Sequence, residues 1–451
     1  MSPIRAFRFW DGSNDSFMLA RIIAIGDELL LGRTIDTNSS FIASWLTDRG
    51  FHVDRTVVAG DPQKDSEVAL RAACEGAALV IITGGLGPTD DDRTRQALAA
   101  VMGVKLAERP AAWQGIRRWY RTNLPSRPIP EINRRQALAP QGAVLLSNDR
   151  GTAPGLSASV GKCHVACLPG VPHEMMAMLE RLDLPLKRWF PRLVRPVIGE
   201  VWLAGIGESA AQELIGNLLT EKNPQVGITV SEKGHLTLRV VGTNAEVRDR
   251  TRALRRALAP YLLPAAGPAA SLVILLAQDG RTIAAAESCT CGQVVAQLGA
   301  VAGASAILRE SLVAYHEGVK TTRLGVKPAL IKRHGIVSEA VAAAMALGMR
   351  RHARADLAIA TTGVAGPEGG TVDTPVGTVC IAVADQHGVV ARTIRVRGTR
   401  ERVQARAAAQ ALVMAFEVAF GRLVTKPSKS FFTAVPLVSE QVSNGCVRSA
   451  M

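Results

Sequence analysis

The sequence predicts an α/β protein in three parts: a three-layer α/β/α domain, a small α+β module and a second α/β domain. Three observations carry this prediction. The chain has 451 residues, more than one hydrophobic core serves, so roughly two to four domains are expected. Short apolar runs alternate with helical periodicity toward both ends, the pattern of parallel strands covered by helices. Between residues 197 and 263 the rhythm changes to short alternating runs followed by one long helix.

Residues 1–17 form an N-terminal extension. Arg5, Arg8, Asp11 and Asp15 interrupt the apolar core that a signal peptide would need. The first domain spans 18–190. Its pattern gives strands at 21–25, 51–58 and 78–82 and helices at 38–48, 67–75 and 92–102. In such sheets ligands sit beyond the carboxyl ends of the strands, and two loops of unusual composition fall there. One is Gly26-Asp27-Glu28-Leu29-Leu30-Leu31-Gly32; the other is Thr83-Gly84-Gly85-Leu86-Gly87-Pro88-Thr89-Asp90-Asp91-Asp92. Glycines allow close backbone approach, and the helix starting near Asp92 points free N–H groups at an anion. The carboxylates Asp27, Glu28, Asp91 and Asp92 suit a divalent metal between protein and phosphate. The bland reading is an N-cap with acids set against the helix dipole. Several acids beside several glycines at a strand end favour the ligand site.

The strand at 163–168 leads into Pro169-Gly170-Val171-Pro172-His173-Glu174 and a helix at 175–182. Cys163, His164, Cys167 and His173 match no closed tetrahedral zinc spacing and read as a buried strand with small thiols. Residues 185–196 mark a boundary. The middle module, 197–263, reads strand 201–203, helix 209–219, strands 226–230 and 235–241, and helix 245–262. This order is KH-like, but no Gly-X-X-Gly loop is present to clamp a nucleic-acid backbone, so a spacer or oligomerisation role is expected. After a Pro- and Gly-rich linker, the last domain covers 270–424, with its clearest strands at 356–360 and 377–384. The tail, 425–451, lacks periodicity and is expected to be disordered.

Composition narrows the function. With 47% hydrophobic, 20% charged and 4% aromatic residues the chain is an ordinary folded protein. A formal charge of +14 admits a nucleic-acid surface. Arg and Lys are however scattered among acids, and the densest group, 392–406, alternates with Val, Thr and Ala as a solvated face. No specific nucleic-acid partner is expected. Seven cysteines in no regular framework suggest a reduced intracellular protein. No apolar run approaches the ~18 residues of a bilayer span, and a cytoplasmic location without membrane partners follows as the expectation.

The chemistry concentrates in the last domain. Ala286-Glu287-Ser288-Cys289-Thr290-Cys291-Gly292 offers a hydroxyl before a predicted helix. Serine needs a neighbour to take its proton. His316 is the sole histidine in these segments and lies on a solvent side, so Lys320 is the better partner. A desolvated lysine becomes neutral near pH 7, and Tyr315 is placed to relay or hold the proton. The helix start supplies N–H groups for an oxyanion. Thr361-Thr362-Gly363-Val364-Ala365-Gly366-Pro367-Glu368-Gly369-Gly370 is a loop able to approach an anion closely. Together these are the equipment of a serine amidohydrolase.

Beyond the residues themselves, the chain from about 18 to 423 resembles the competence/damage-inducible CinA family. The first domain does so through Gly26-Asp27-Glu28-Leu29-Leu30, Asp36-Thr37-Asn38, Thr83-Gly84-Gly85-Leu86-Gly87-Pro88-Thr89, Asn133-Arg134-Arg135-Gln136-Ala137, Gly151-Thr152-Ala153-Pro154-Gly155 and Leu168-Pro169-Gly170-Val171-Pro172. The last domain does so through Ala286-Glu287-Ser288-Cys289-Thr290, Tyr315 with Lys320, Val337-Ser338-Glu339 and Thr362-Gly363-Val364-Ala365-Gly366-Pro367. The resemblance implies a molybdopterin-binding-like fold for the first domain and a nicotinamide-nucleotide amidase for the last. It implies deamidation of nicotinamide mononucleotide by Ser288 with Lys320 and Tyr315, without a cofactor. Glu287, Thr290, Thr362, Gly363, Ala365, Gly366, Gly369 and Gly370 would bind that substrate. It further implies cleavage of ADP-ribose with a divalent metal in the first domain, where Gly26, Asn38, Thr83, Gly84, Gly85, Gly87 and Thr89 would contact it, and a homodimer. Three positions depart from the family pattern: Cys291 stands for a glycine, Thr374 for a lysine and Ala304 for a serine. The competing readings are a non-catalytic nucleotide- or pterin-binding protein and a nucleic-acid-binding competence factor.

Overall fold

The computed structural model describes residues 18–220, 224–231 and 233–425. The extension at 1–17 and the tail beyond 425 lie outside the described residues. The chain divides into two compact units, one ending at Pro196 and the other starting at Val197.

In chain order the strands of the first unit are β1 (Met18–Ile25), β2 (Phe51–Ala59), β3 (Leu79–Thr83), β4 (Leu106–Glu108), β5 (Leu138–Pro140), β6 (Val144–Leu146), β7 (Gly155–Val160) and β8 (Cys163–Leu168). The main sheet runs β2-β1-β3-β8-β7-β6, and β4 pairs with β5 in a separate ribbon. From β2 to β8 the pairing is parallel, whereas β7 and β6 join antiparallel. The sheet is therefore mixed, where the sequence reading has it parallel. The turn between Val160 and Cys163 is too short for the crossover that parallel pairing needs.

Helices cover both faces, and the strands sort their side chains accordingly. Ile22 and Ile81 enter one core with Ile42, Leu46 and Leu179, while Ile23, Val80 and Ile82 enter the other with Leu70 and Leu98. That division follows from the two-residue period of a strand. Each fully buried Leu or Ile contributes ~1.5–3 kcal/mol, so slipping β1 by one residue would disrupt both cores at once.

The second unit begins with the middle module: β9 (Val197–Leu203), β10 (Gln225–Val230), β11 (Leu236–Gly242) and β12 (Leu262–Leu263), in the antiparallel order β10-β11-β9-β12. Its second helix, Asn244–Ala257, opens on a capping box in which Thr243 and Glu246 satisfy each other's backbone N–H groups. The sequence reading extends this helix to Leu262. It stops at Ala257 because Pro260 disfavours helical geometry before it, and Leu262–Leu263 instead pairs with β9.

The last domain follows with β13 (Ile283–Glu287), β14 (Leu308–Val313), β15 (Leu357–Gly363), β16 (Thr378–Ala384) and β17 (Val389–Arg395), ordered β14-β13-β15-β16-β17. The first three pair in parallel and the last two antiparallel. All five residues of β13, Ile-Ala-Ala-Ala-Glu, are buried. Their small side chains admit helix Glu339–Ala353 on one face and helices Pro268–Gln278 and Arg400–Ala419 on the other. Because β14, β13 and β15 are parallel, their carboxyl ends put Ala314-Tyr315, Ser288 and Thr361 to Gly363 side by side. No helix among the described residues is long and apolar enough to cross a membrane.

Candidate active site

Ser288 leaves the end of β13 with its backbone fixed: its N–H donates to the Thr361 carbonyl at 3.0 Å, and the Glu287 carbonyl accepts from Ala314 N–H at 2.7 Å. Lys320 lies on the short helix Glu317–Thr322, which His316 caps by accepting from Gly318 N–H. The lysine is 1% exposed. Its Nζ lies 3.0 Å from Ser288 Oγ, 2.6 Å from the Ala314 carbonyl and 3.2 Å from the Tyr315 carbonyl. Burial pushes its pKa down, and the nearby Cys289 and Glu317 oppose this only in part. As a neutral amine Lys320 has two protons for the two carbonyls, which leaves its lone pair for the Ser288 hydroxyl. No ion pair to Lys320 occurs among the described residues.

Tyr315 meets Lys320 through its main-chain carbonyl and not through its phenol. The side chain is 56% exposed, and its hydroxyl accepts from Arg400 Nη2 at 2.9 Å. Arg400 Nη1 donates to the Gly366 carbonyl at 2.7 Å, so one guanidinium ties the tyrosine to the glycine-rich loop. A turn along the same helix, Gln404 Nε2 donates to the Cys289 carbonyl at 2.9 Å.

Glu287 and Thr290, expected to bind substrate, are instead buried supports of the turn that carries Ser288. Both are 0% exposed. Glu287 Oε2 accepts from Thr290 Oγ1 at 2.7 Å, Gly292 N–H at 2.9 Å and Val294 N–H at 3.0 Å, and Oε1 accepts from Val295 N–H at 2.9 Å. Thr290 Oγ1 also meets Thr361 Oγ1 at 2.7 Å. This overturns the expectation that the start of helix Gln293–Gly299 supplies the oxyanion donors, because a buried carboxylate already occupies those N–H groups. The Ser288 amide goes to Thr361, Cys291 to the Ser288 carbonyl and Gln293 to the Thr290 carbonyl, which leaves the amides of Cys289 and Thr290.

Thr362 is likewise buried and donates to the Ile336 carbonyl at 2.9 Å. In the loop after β15, a Cβ on Gly363 would lie 2.7 Å from the Thr378 carbonyl oxygen, and one on Gly370 2.7 Å from Val376 N. The loop's own packing thus demands these two glycines. A Cβ on Gly366 would meet Val376, Ala365 is buried, and Gly369 is open. Cys291 takes a φ of +51° beside Gly292 at +94°, a left-handed conformation in which its side chain is strained. Ala304 is buried in the core, and Thr374 closes a turn with Thr371 through paired hydrogen bonds of 3.0 Å.

In the first unit Asn38, Thr83 and the Pro169-Gly170 turn meet at the strand ends. Asn38 Nδ2 donates to Thr83 Oγ1 at 3.0 Å and to the Gly170 carbonyl at 2.7 Å, and Thr83 Oγ1 donates to the Pro169 carbonyl. Asn38 Oδ1 is buried and has no hydrogen-bond partner among the described residues. Gly84 and Gly85 take φ of +104° and +66°, and a Cβ on them would strike the Ile25 carbonyl and Thr94 Oγ1. Asp92 closes its own loop: it accepts from Gly87 N–H at 2.7 Å, Thr89 N–H at 2.9 Å and Thr89 Oγ1 at 2.5 Å. A Cβ on Gly26 would press on the Glu28 carboxylate. Asp27 and Asp61 accept from each other's backbone N–H groups at 3.1 and 3.3 Å. Burial pushes the Asp61 carboxyl up, and the charges of Asp27, Glu28 and Asp91 add to this. Among the described residues no three His, Cys, Asp or Glu side chains gather as a set for a metal ion. Asp27, Glu28, Asp91 and Asp92 therefore form no ready ligand set, with Asp92 committed to its turn.

Residues 21–188 match the sequence family described as a probable molybdopterin binding domain, and residues 266–419 match the CinA C-terminal domain. The chain is 40% identical over 396 residues to a CinA-like protein of Geobacter sp. (strain M21), an alignment covering 86% of this chain and 94% of that protein. The chain belongs to the CinA family. A CinA-like protein of Anaeromyxobacter dehalogenans (strain 2CP-C) is 38% identical over 406 residues, 88% of this chain and 98% of that one. The crystal structure of CinA from Thermoplasma acidophilum, titled as of unknown function, is 35% identical and covers 38% of this chain and 98% of its own, with a TM-score of 0.35.

Within this CinA-family chain, sequence reasoning misses four residues that organise the two sites: Arg400, Gln404, Asp61 and Arg95. Arg95 is buried and clamps the glycine loop by donating to the Leu86 and Gly87 carbonyls, with its pKa lowered by burial to about 10. Asp61 follows β2 by two positions, where the strand-end rule points. Arg400 and Gln404 lie 85 and 115 residues from their partners, and nothing local marks them.

Proposed function

We propose that the C-terminal domain is a serine amidase that converts nicotinamide mononucleotide to nicotinate mononucleotide and ammonia. The observation that carries this reading is the buried Lys320 amine 3.0 Å from Ser288 Oγ, held by two main-chain carbonyls and without an ion pair among the described residues. Ser288 Oγ attacks the carboxamide carbon as its proton passes to Lys320 Nζ. The Cys289 and Thr290 amides receive the oxyanion. Lys320 returns the proton to the departing nitrogen, the C–N bond breaks, and ammonia leaves an acyl-Ser288. Water, deprotonated by the same amine, then releases the acid and restores the serine. Arg400 holds Tyr315 and the glycine-rich loop in register for the nucleotide, and no cofactor enters any step.

The same reading gives the first domain an ADP-ribose pyrophosphatase role, with the diphosphate at the loops carrying Gly26, Gly84, Gly85, Gly87 and Thr89. Asn38 Oδ1, a buried acceptor without a donor, suits a ribose hydroxyl there. The acids do not fit a divalent ion as they stand, so no step is derived through one. A cytoplasmic homodimer completes the proposal.

The test is ammonia release from nicotinamide mononucleotide by the full chain, beside Ser288→Ala and Lys320→Ala variants checked for native folding. Release that falls by roughly 10²–10⁴ in both variants is expected. A folded wild-type chain that releases none would sink the amidase.

A further inference from the structure

Away from Ser288, a cavity of about 450 Å³ opens between the middle module and the last domain, inside the ~300–1,000 Å³ range of small-molecule sites. Its walls come from four elements of the second unit: the turn before helix Glu208–Thr220, the β10–β11 hairpin, the β16–β17 pair and helix Arg400–Ala419. Ile206, Ile381, Ile394, Val413 and Met414 supply its apolar side, and polar side chains line about as much of it.

The polar groups are unequal. Arg392 pairs with Glu417 at 3.6 Å, so these charges offset each other. Glu208 is exposed, and His235 is held toward its neutral form by burial. Arg406 lines the cavity half-buried and makes no hydrogen bond or ion pair among the described residues. Gln410, one turn further along the helix, also lines it without a partner among the described residues. A half-buried guanidinium without an ion pair among the described residues, on the same helix as the apolar Val413 and Met414, leaves its donors open to a ligand. An unpaired arginine offers a fork of donors matched to carboxylate or phosphate.

We infer that this cavity is a second ligand site, which takes a small organic anion with one anionic head on Arg406 and Gln410 and an apolar body against Val413 and Met414. A highly charged ligand fits poorly, because Glu208 and Glu417 also border the space. The site shares no side chain with the amidase machinery, so the inference stands independently of the proposed activity.

The experiment is calorimetric titration of the full chain with phenyl phosphate, benzoate and, as the neutral control, benzyl alcohol. Two variants accompany it, each checked by thermal unfolding: Arg406→Gln removes the charge and Gln410→Phe fills the cavity. The inference predicts saturable binding of at least one anion, weakened about tenfold or more in both variants, and benzyl alcohol at least about tenfold weaker than that anion. Tenfold corresponds to ~1.4 kcal/mol. Anion binding that both folded variants retain, equal binding of benzyl alcohol, or no binding of either anion at millimolar concentration would each overturn it. Ammonia release is not the readout, so a failed amidase leaves the result interpretable.

Discussion

Replacing Glu287 by glutamine changes one atom's charge in a site where four donors converge. The carboxylate accepts three N–H bonds and one hydroxyl bond, three of them on Oε2 and one on Oε1. In Glu287→Gln the amide oxygen takes the Oε2 side. Its three bonds drop from charge-assisted to neutral strength, at ~1 kcal/mol each, and the Val295 N–H meets an NH₂ group, which adds ~1–3 kcal/mol. Relief from burying a charge returns part of this. The net local loss is ~3 kcal/mol, enough to accelerate exchange about a hundredfold. Amide hydrogen exchange at Gly292, Val294 and Val295 reads this directly, without requiring the whole chain to unfold in one step. The expected result is faster exchange at these amides, unchanged exchange in the first unit, and a fall in kcat as Ser288 loses its fixed turn. Exchange altered by less than about threefold would show that the carboxylate does not hold this helix start.

Cys291→Gly relieves a left-handed residue worth ~1–2 kcal/mol and gives back ~0.5–1 kcal/mol of unfolded-chain entropy. Denaturation should therefore show a gain of ~0.5–1 kcal/mol with ammonia release undiminished; a clear loss of stability refutes the strain argument. Ammonia release should rise with pH through the Lys320 pKa, whose midpoint lies below the ordinary lysine value because burial disfavours the ammonium. In stability terms the unfolded chain binds the extra proton between the folded and unfolded values, so Lys320's destabilising effect is largest at low pH and fades as pH rises. A profile flat on its acid side counts against Lys320 as the base. Tyr315→Phe keeps the carbonyl that holds Lys320 and loses only the bond from Arg400, so kcat should fall by less than about tenfold; a loss matching that of Lys320→Ala would put the phenol in the proton path.

Six strands of the two α/β domains, at 21–25, 51–58, 78–82, 163–168, 356–360 and 377–384, are legible because each is a short apolar run between turn residues, and the structure shifts their ends by only a few positions; the short β4 to β7 and the strands β13, β14 and β17 escape that pattern. The pairing of Lys320 with Ser288 is legible too, because the segment offers an amine and no suitable imidazole. What escapes is direction. Tyr315 lies five residues before Lys320, and that spacing does not say whether a phenol or a carbonyl faces the amine. Glycines look alike in sequence whether a ligand or the chain's own backbone excludes the Cβ, and at Gly84, Gly363 and Gly370 the chain itself does. Asp92 reads as a ligand candidate and closes a turn. Glu287 sits outside every helix-cap spacing, because it reaches the helix from the end of a strand.

Lys320 is buried against the Ala314 and Tyr315 carbonyls, and its basicity is set chiefly by exclusion from water. Dissolved ions screen exposed charges within about 10 Å at 0.1 M salt, and act much less on a buried group. An amidase whose base was tuned by a surface ion pair would drift with ionic strength. Here Lys320 is insulated, and under the proposed reaction salt should act through the capture of an anionic substrate, leaving the chemical step almost untouched.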